Sequence, residues 1–377
     1  MNPEISVPLS VMAAIRAPFE ATGAVHIEPP VLQPLSLLLD LAGEVLRERL
    51  FVLQAEGGEA LCLRPDFTIP IVRTHMALGK SGGRYRYEGS VFLVNGRGLD
   101  DPDEVRQIGL ESFEASDPPV ADADMAGLAW RSASAGGRDD LRLVFGDVGL
   151  FGGFLDALGL AEPLAGRLRR AFRQPRRLRA ELDRAGEQTA QMQSSHLESL
   201  LTQMTEVEAG QVLQELWSLA GIQPVGGRPA SEIVQRLAAR SRSENAPSLS
   251  SEQAAQIERY IAIDAPPHEA IGAMTKLVGG GARALDSALG TWGERLTALE
   301  KQGVPADRMT LAAGFSRPFG YYDGVFFEVI SEALGRDAPV AAGGRYDGLP
   351  SQLGAAERSD ALGCMVRPAR AWSGDER

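Results

Sequence analysis

The chain has 377 residues, 38 basic against 50 acidic side chains and a formal net charge of −12. That average field repels polyanions and argues against a broad nucleic-acid surface. Hydrophobic residues at 44% supply a globular core, and no apolar run reaches the roughly 18 residues that span a bilayer.

The N-terminus, MNPEISVPLS, lacks the basic cluster and apolar core of an export signal, so a cytoplasmic location is expected. After Pro29 and Pro30, the spacing of Leu35, Leu38, Leu39, Ala42, Val45 and Leu46 predicts a helix over 31–50. Strands are expected at LFVLQ near 50, YRYEGSVFLV at 85–94 and LRLVFGDV at 141–148, and the lack of regular βαβ alternation makes their sheet mostly antiparallel. From about 160 to 300 the chain turns helical. Val212, Leu213, Leu216, Trp217 and Ala220 form a stripe ended by Gly221, SRSENAPSLSS at 241–251 reads as a link, and Ser250 with Gln253 forms a capping box. Strand character returns at 309–330, where Asp323-Gly324 signals a hairpin. Sheet, helices and sheet again imply a discontinuous domain, 1–155 with 300–377, carrying a helical insertion at 156–299.

Cys62 and Cys364 lack CxxC spacing and read as buried small hydrophobes, while His26, His75, His196 and His268 show no metal-ligand spacing. Neither a metal nor a cofactor is expected. An arginine run from Arg167 through Arg169, Arg170, Arg173, Arg176 and Arg177 to Arg179 contains no acid; it reads as an anion or acidic-partner contact, or as a solvated helical face interrupted at Pro175.

Four blocks can carry chemistry. LRPDFT (63–68) gathers Arg64, Asp66 and Thr68 around a proline, an acid and a hydroxyl that can both face an ammonium. RQIGLESFE (106–114) brings Gln107 and Glu111. FSRPFGYYDGVFFE (315–328) holds Arg317, whose planar fork suits a carboxylate or phosphate, four residues before Tyr321; if Tyr321 and Tyr322 lie on a strand they point to opposite faces, one to a pocket. AAGGRYDGL (341–349) offers Gly343 and Gly344 for close backbone approach to a ligand, followed by Arg345 and Asp347, or a plain tight turn.

Together these blocks resemble the catalytic domain of class II histidyl-tRNA synthetases over roughly residues 5–155 and 300–372. The C-terminal anticodon-binding domain of true synthetases is not expected, because the sequence ends about five residues past the last matched block. The resemblance implies an α+β fold, an antiparallel sheet flanked by helices with a helical insertion. It places Pro30 at the motif 1 proline, gives Asp66 and Thr68 to the substrate amino group, Gln107 and Glu111 to the amino-acid pocket, Tyr321 and Tyr322 to the histidine-specific tyrosine pair, Arg317 to the catalytic arginine and Gly343, Gly344 and Arg345 to a pocket loop. Motif 2 departs from the family, which puts a phosphate-binding arginine straight after the phenylalanine. Here Phe92 is followed by Leu93, which offers no donor, and then by Asp100, Asp101, Asp103 and Glu104. A carboxylate about 5 Å from a triphosphate charge costs on the order of 3 kcal/mol at an effective ε near 20.

A histidine pocket with a hostile nucleotide half resembles the regulatory subunits of ATP phosphoribosyltransferase. That resemblance implies no catalytic residue in this chain, a short-form catalytic subunit as partner, free histidine as ligand, a self-dimer within a hetero-oligomer, and a place in the first step of histidine biosynthesis. The alternatives are a truncated synthetase or other amino-acid ligase with a rearranged ATP site, and a purely structural partner without a ligand.

Overall fold

A computed structural model of the chain describes residues 7–42, 47–54, 58–94, 102–114, 117–187, 249–279, 283–315, 321–356 and 359–374. In chain order the elements are α1 (Leu9–Glu20), β1 (Val25–His26), β2 (Leu32–Pro34), α2 (Leu35–Ala42), β3 (Val52–Gln54), β4 (Ala60–Leu63), α3 (Thr68–Ala77), β5 (Arg84–Phe92), β6 (Glu104–Ser112), α4 (Pro118–Ser134), β7 (Leu141–Asp147) and α5 (Val148–Ala157). Then follow α6 (Glu162–Phe172), α7 (Pro175–Glu187), α8 (Ser251–Ile261), β8 (Asp264–Ala265), α9 (Pro267–Val278), α10 (Arg283–Lys301), β9 (Met309–Ala312), β10 (Val325–Ser331), β11 (Ala341–Arg345), α11 (Leu349–Gln352), β12 (Leu362–Val366) and α12 (Pro368–Ala371).

Nine strands form one sheet in the order β1-β5-β6-β12-β11-β10-β7-β9-β8. Among the described residues only the β1–β5 and β7–β9 pairs are parallel, so the antiparallel expectation holds. Helix α4 lies against β10, β11 and β12 on one face, with α1 and α10 packed upon it. At the β7–α5 junction Asp147 caps the helix, accepting from Gly149 N at 2.7 Å, and also receives Trp292 Nε1 at 2.6 Å.

The helix predicted for 31–50 is shorter in its described part. Residues Leu32–Pro34 are a strand, paired antiparallel with β4 in a separate three-stranded sheet, and the helix begins at Leu35. Proline disfavours helical backbone at the residue before it, which holds Gln33 extended ahead of Pro34. Val45 and Leu46 lie outside the described residues. The hairpin expected at Asp323-Gly324 does not join β9 to β10, because β7 runs between them, parallel to β9 and antiparallel to β10. The two letters describe a local turn; long-range pairing chose the neighbours.

The chain divides into two compact units, one of residues 1–159, 172–174 and 259–377 that carries both sheets, the other of 160–171 and 175–258. The insertion expected at 156–299 therefore runs past this boundary. Leu285, Leu289, Trp292, Leu296 and Leu299 of α10 are buried at helical spacing, and α10 packs on α4 and α5, so it belongs with the sheet. In the second unit α6 ends before Pro175 and α7 starts on it. Its arginines find acids from outside the basic run: Arg167 meets Glu181 at 3.2 Å, Arg169 meets Glu162 at 3.1 Å and Arg179 meets Asp183 at 3.4 Å. The Ser250–Gln253 capping box forms with reciprocal bonds of 3.0 and 3.1 Å. The 212–221 stripe lies outside the described residues. No described helix is long and apolar enough to cross a membrane.

Candidate functional site

Strand alternation builds the site. In the β5–β6 register Tyr85, Tyr87 and Gly89 oppose Glu111, Gly109 and Gln107, which places all six on one face of the sheet. The β6–β12 register adds Gly363 beside Glu111 and Met365 beside Gly109. Two of the glycines are required by close approach. A Cβ on Gly363 would stand 1.6 Å from Glu111 Oε2, and one on Gly109 would stand 2.4 Å from the Tyr87 hydroxyl, so only glycine lets these side chains lie flat across the strands.

The loop from β4 to α3 closes the pocket from the side. Arg64 donates from Nη1 to Pro29 O at 2.7 Å and from Nε to Ser90 O at 2.8 Å, and its guanidinium lies 4.1 Å from the Phe67 ring centre. Phe67 in turn stacks on Tyr87 at 4.3 Å. So pinned, the loop aims Thr68 at Glu111, with Oγ1 donating to Oε1 at 2.8 Å, and holds Asp66 between Ile69 N at 3.3 Å and the Tyr321 hydroxyl at 3.4 Å. The second Glu111 oxygen accepts a short bond from the Tyr346 hydroxyl.

Asp66, Thr68, Gln107, Glu111, Tyr321 and Tyr322 all line one cavity of about 60 Å³. At about 10–15 Å³ per water-sized probe, this volume corresponds to about four to six waters. The two tyrosines do not divide between faces as expected. They precede β10 in irregular backbone, freed from strand alternation, and their rings sit 4.8 Å apart on the same cavity. Arg317 lies outside the described residues. The proposed pocket loop is instead strand β11: Gly343 and Arg345 face the opposite side of the sheet from Glu111, and Gly343, Gly344 and Arg345 are not part of the cavity wall. Arg345 donates to Asp122 of α4 at 2.9 Å and to Asp347 at 3.2 Å, a structural role set by parity.

Sequence reasoning missed Tyr346 and Arg367. Counting by twos finds both: Tyr346 follows Arg345 to the other face, and Arg367 continues the alternation of Gly363 and Met365 into the cavity. Arg370 of α12 donates to Pro339 O at 3.0 Å. Leu93 lines the cavity, and its backbone N donates to Asp103 O at 2.9 Å. Asp100 and Asp101 lie outside the described residues.

Burial raises the Asp66 carboxyl to about 6, against bonds from Ile69 N and the Tyr321 hydroxyl. Burial raises Glu111 to about 8, opposed by Tyr346 and Thr68 and reinforced by the Asp66 charge. Two buried acids whose charges act on each other invite a cation. Between about pH 4 and pH 8 the folded chain therefore binds more protons here than the unfolded chain, so these groups make stability fall as pH rises across that window. Urea midpoints measured across this range should show the decline, and a saturating ligand bearing an ammonium group should flatten it by favouring the charged carboxylates. Both cysteines are buried, and among the described residues no group of three or more His, Cys, Asp or Glu side chains is placed to hold a metal.

A mostly antiparallel sheet thus carries a cavity lined by two buried carboxylates and two adjacent tyrosines. The histidyl-tRNA synthetase family model matches residues 3–224 and 211–369. Among solved structures, an ATP phosphoribosyltransferase regulatory subunit/histidyl-tRNA synthetase from Bacillus halodurans superposes with a TM-score of 0.64 at 21% identity, covering 97% of this chain and 79% of that one. A Nostoc histidyl-tRNA synthetase gives 0.59 at 18% identity, covering 96% and 70%. These likenesses establish the fold. Among curated proteins, the ATP phosphoribosyltransferase regulatory subunit of Mesorhizobium japonicum is 34% identical over 367 residues, 95% of each chain, and that of Brucella anthropi 32% over 364 residues, 94% of each. The chain belongs to the histidyl-tRNA synthetase family and, within it, to the ATP phosphoribosyltransferase regulatory subunits.

Proposed function

We propose that this chain is a non-catalytic regulatory partner of a short-form ATP phosphoribosyltransferase catalytic subunit, acting in histidine biosynthesis, and that its cavity receives free histidine. The observation that carries the reading is the buried Asp66 and Glu111 pair beneath Tyr321 and Tyr322, with Leu93 lining the same cavity. In this reading Asp66, Thr68 and Gln107 take the ammonium, Glu111 and the tyrosines take the imidazole, and Arg317 takes the carboxylate. Micromolar affinity needs about 8 kcal/mol, under about 1 kcal/mol per non-hydrogen atom of histidine and within ordinary ligand efficiency. The chain pairs with itself inside the hetero-oligomer, and histidine biases one state of that assembly by about 1–3 kcal/mol, so the catalytic subunit must shift histidine affinity reciprocally.

Co-purification with a short phosphoribosyltransferase should show that both chains are required for turnover and that added histidine lowers it. Calorimetry returning the same histidine affinity with and without the partner would refute the coupling. The chain alone is expected to show no histidine-dependent pyrophosphate exchange; its appearance would favour the ligase reading. Replacing Tyr322 by Phe should weaken histidine binding and leave the unfolding midpoint in place.

A further inference from the structure

On the opposite face of the same strands lies a second, larger cavity of about 360 Å³. Its floor is a cross-strand row: Arg84, Ser112 and Leu362 are register partners on β5, β6 and β12, one residue removed from Tyr85, Glu111 and Gly363 and so turned away from the histidine pocket. Helix α4 supplies the facing wall through Asp124, Met125, Leu128 and Arg131, spaced along one helical side. Gln302 ties that wall together, donating to Asp124 Oδ1 at 2.6 Å and accepting from Arg131 Nη1 at 2.6 Å. Glu114 adds a second carboxylate to the lining.

The charges balance: two guanidiniums, Arg84 and Arg131, and two carboxylates, Asp124 and Glu114. Burial pushes the Asp124 carboxyl up while Arg131 and Arg84 pull it back, so acid and bases share one field. A phosphate ester would meet both carboxylates, a simple cation would meet both guanidiniums, and an apolar molecule would strip water from all four. A zwitterion answers both signs, and Met125, Leu128 and Leu362 offer an apolar wall for a side chain. We propose that this cleft binds a free α-amino acid at a site separate from the histidine pocket, its carboxylate on Arg84 and Arg131 and its ammonium toward Asp124 and Glu114. The guanidinium fork suits a carboxylate in shape as well as charge.

Two methionines make the sites separately observable, since Met125 lines the cleft and Met365 the histidine pocket. With the full chain labelled at methionine methyls, the common free L-amino acids are titrated one at a time. At least one should shift the Met125 resonance saturably in the millimolar range or below, and its methyl ester and its desamino acid should each bind about ten-fold more weakly or worse. Arg84→Ala should reduce the Met125 response and leave the Met365 response to histidine as it was. The analogues need no altered protein, so they test the idea even where a variant folds poorly. No Met125 shift with any amino acid would overturn the proposal, as would equal binding by parent, ester and desamino acid, or an equal response to inorganic phosphate. A Met125 shift that disappears in Tyr322→Phe would equally defeat it, by showing an echo of the histidine pocket.

Discussion

Replacing Asp122 by Ala is expected to destabilise the chain by about 3–5 kcal/mol, the scale for removing one member of a buried charge cluster. Asp122 sits on α4 and receives Arg345 from β11 at 2.9 Å and Arg295 from α10 at 2.8 Å. All three side chains are buried, at 5–7% exposure. Removing the carboxylate leaves the buried Arg295 without this partner and Arg345 with only Asp347 and Asp360, and the sheet, α4 and α10 lose a charge that links them. Denaturant unfolding should show a lowered midpoint with an unchanged slope. A shift of under about 1 kcal/mol would place this cluster with weakly coupled surface pairs. Replacing Arg179, whose partners Asp183 and Glu258 are both largely exposed, is the contrasting control.

Changing Glu111 to Gln should separate binding from stability. Glutamine keeps the shape and one carbonyl acceptor, while the Thr68 hydroxyl can rotate to accept from the new amide. It removes a buried carboxylate whose folded pKa lies near 8, so the variant should unfold no earlier than the parent at neutral pH and later above pH 8. Histidine should lose a charge-assisted bond of about 1.5–3 kcal/mol, roughly a ten- to hundred-fold weaker titration. Unchanged affinity would remove Glu111 from the ligand. A companion change, Gly363→Ala, attacks the same carboxylate by volume: a Cβ 1.6 Å from Oε2 forces Glu111 aside while keeping its charge. It should weaken binding and also destabilise the chain, by about 1–3 kcal/mol as overpacking does.

Much of the pocket was legible because its residues sit in short blocks whose letters have few other uses. Asp66, Thr68, Gln107, Glu111, Tyr321 and Tyr322 were each identified from such blocks and converge on one cavity. Errors came where a block was read without its parity. Arg345 stands two residues after Gly343 and therefore shares its face, toward α4, while Tyr346 between Arg345 and Asp347 turns to the other face and bonds Glu111. Once β11 and β12 are known to be strands, alternation separates Arg345 from Tyr346 and carries Arg367 toward the cavity, while Arg370 belongs to helix α12. The blocks looked like turns, and a turn has no parity.

The sequence by itself determined the local chemistry: a carboxylate and hydroxyl held by a proline loop, two adjacent tyrosines, an apolar Leu93 after Phe92, and helices bounded by Pro175 and capped by Ser250. These are short-range consequences of side-chain type and backbone restriction, so they survive any packing. Only the tertiary structure decided that β7 would part β9 from β10, that α10 would join the sheet-bearing unit, and that Asp66 and Glu111 would be buried on one cavity, where both carboxyl pKa values rise. Strand order and burial arise from contacts between residues far apart in the chain. The field that shifts a carboxyl pKa exists only after those contacts have expelled the water.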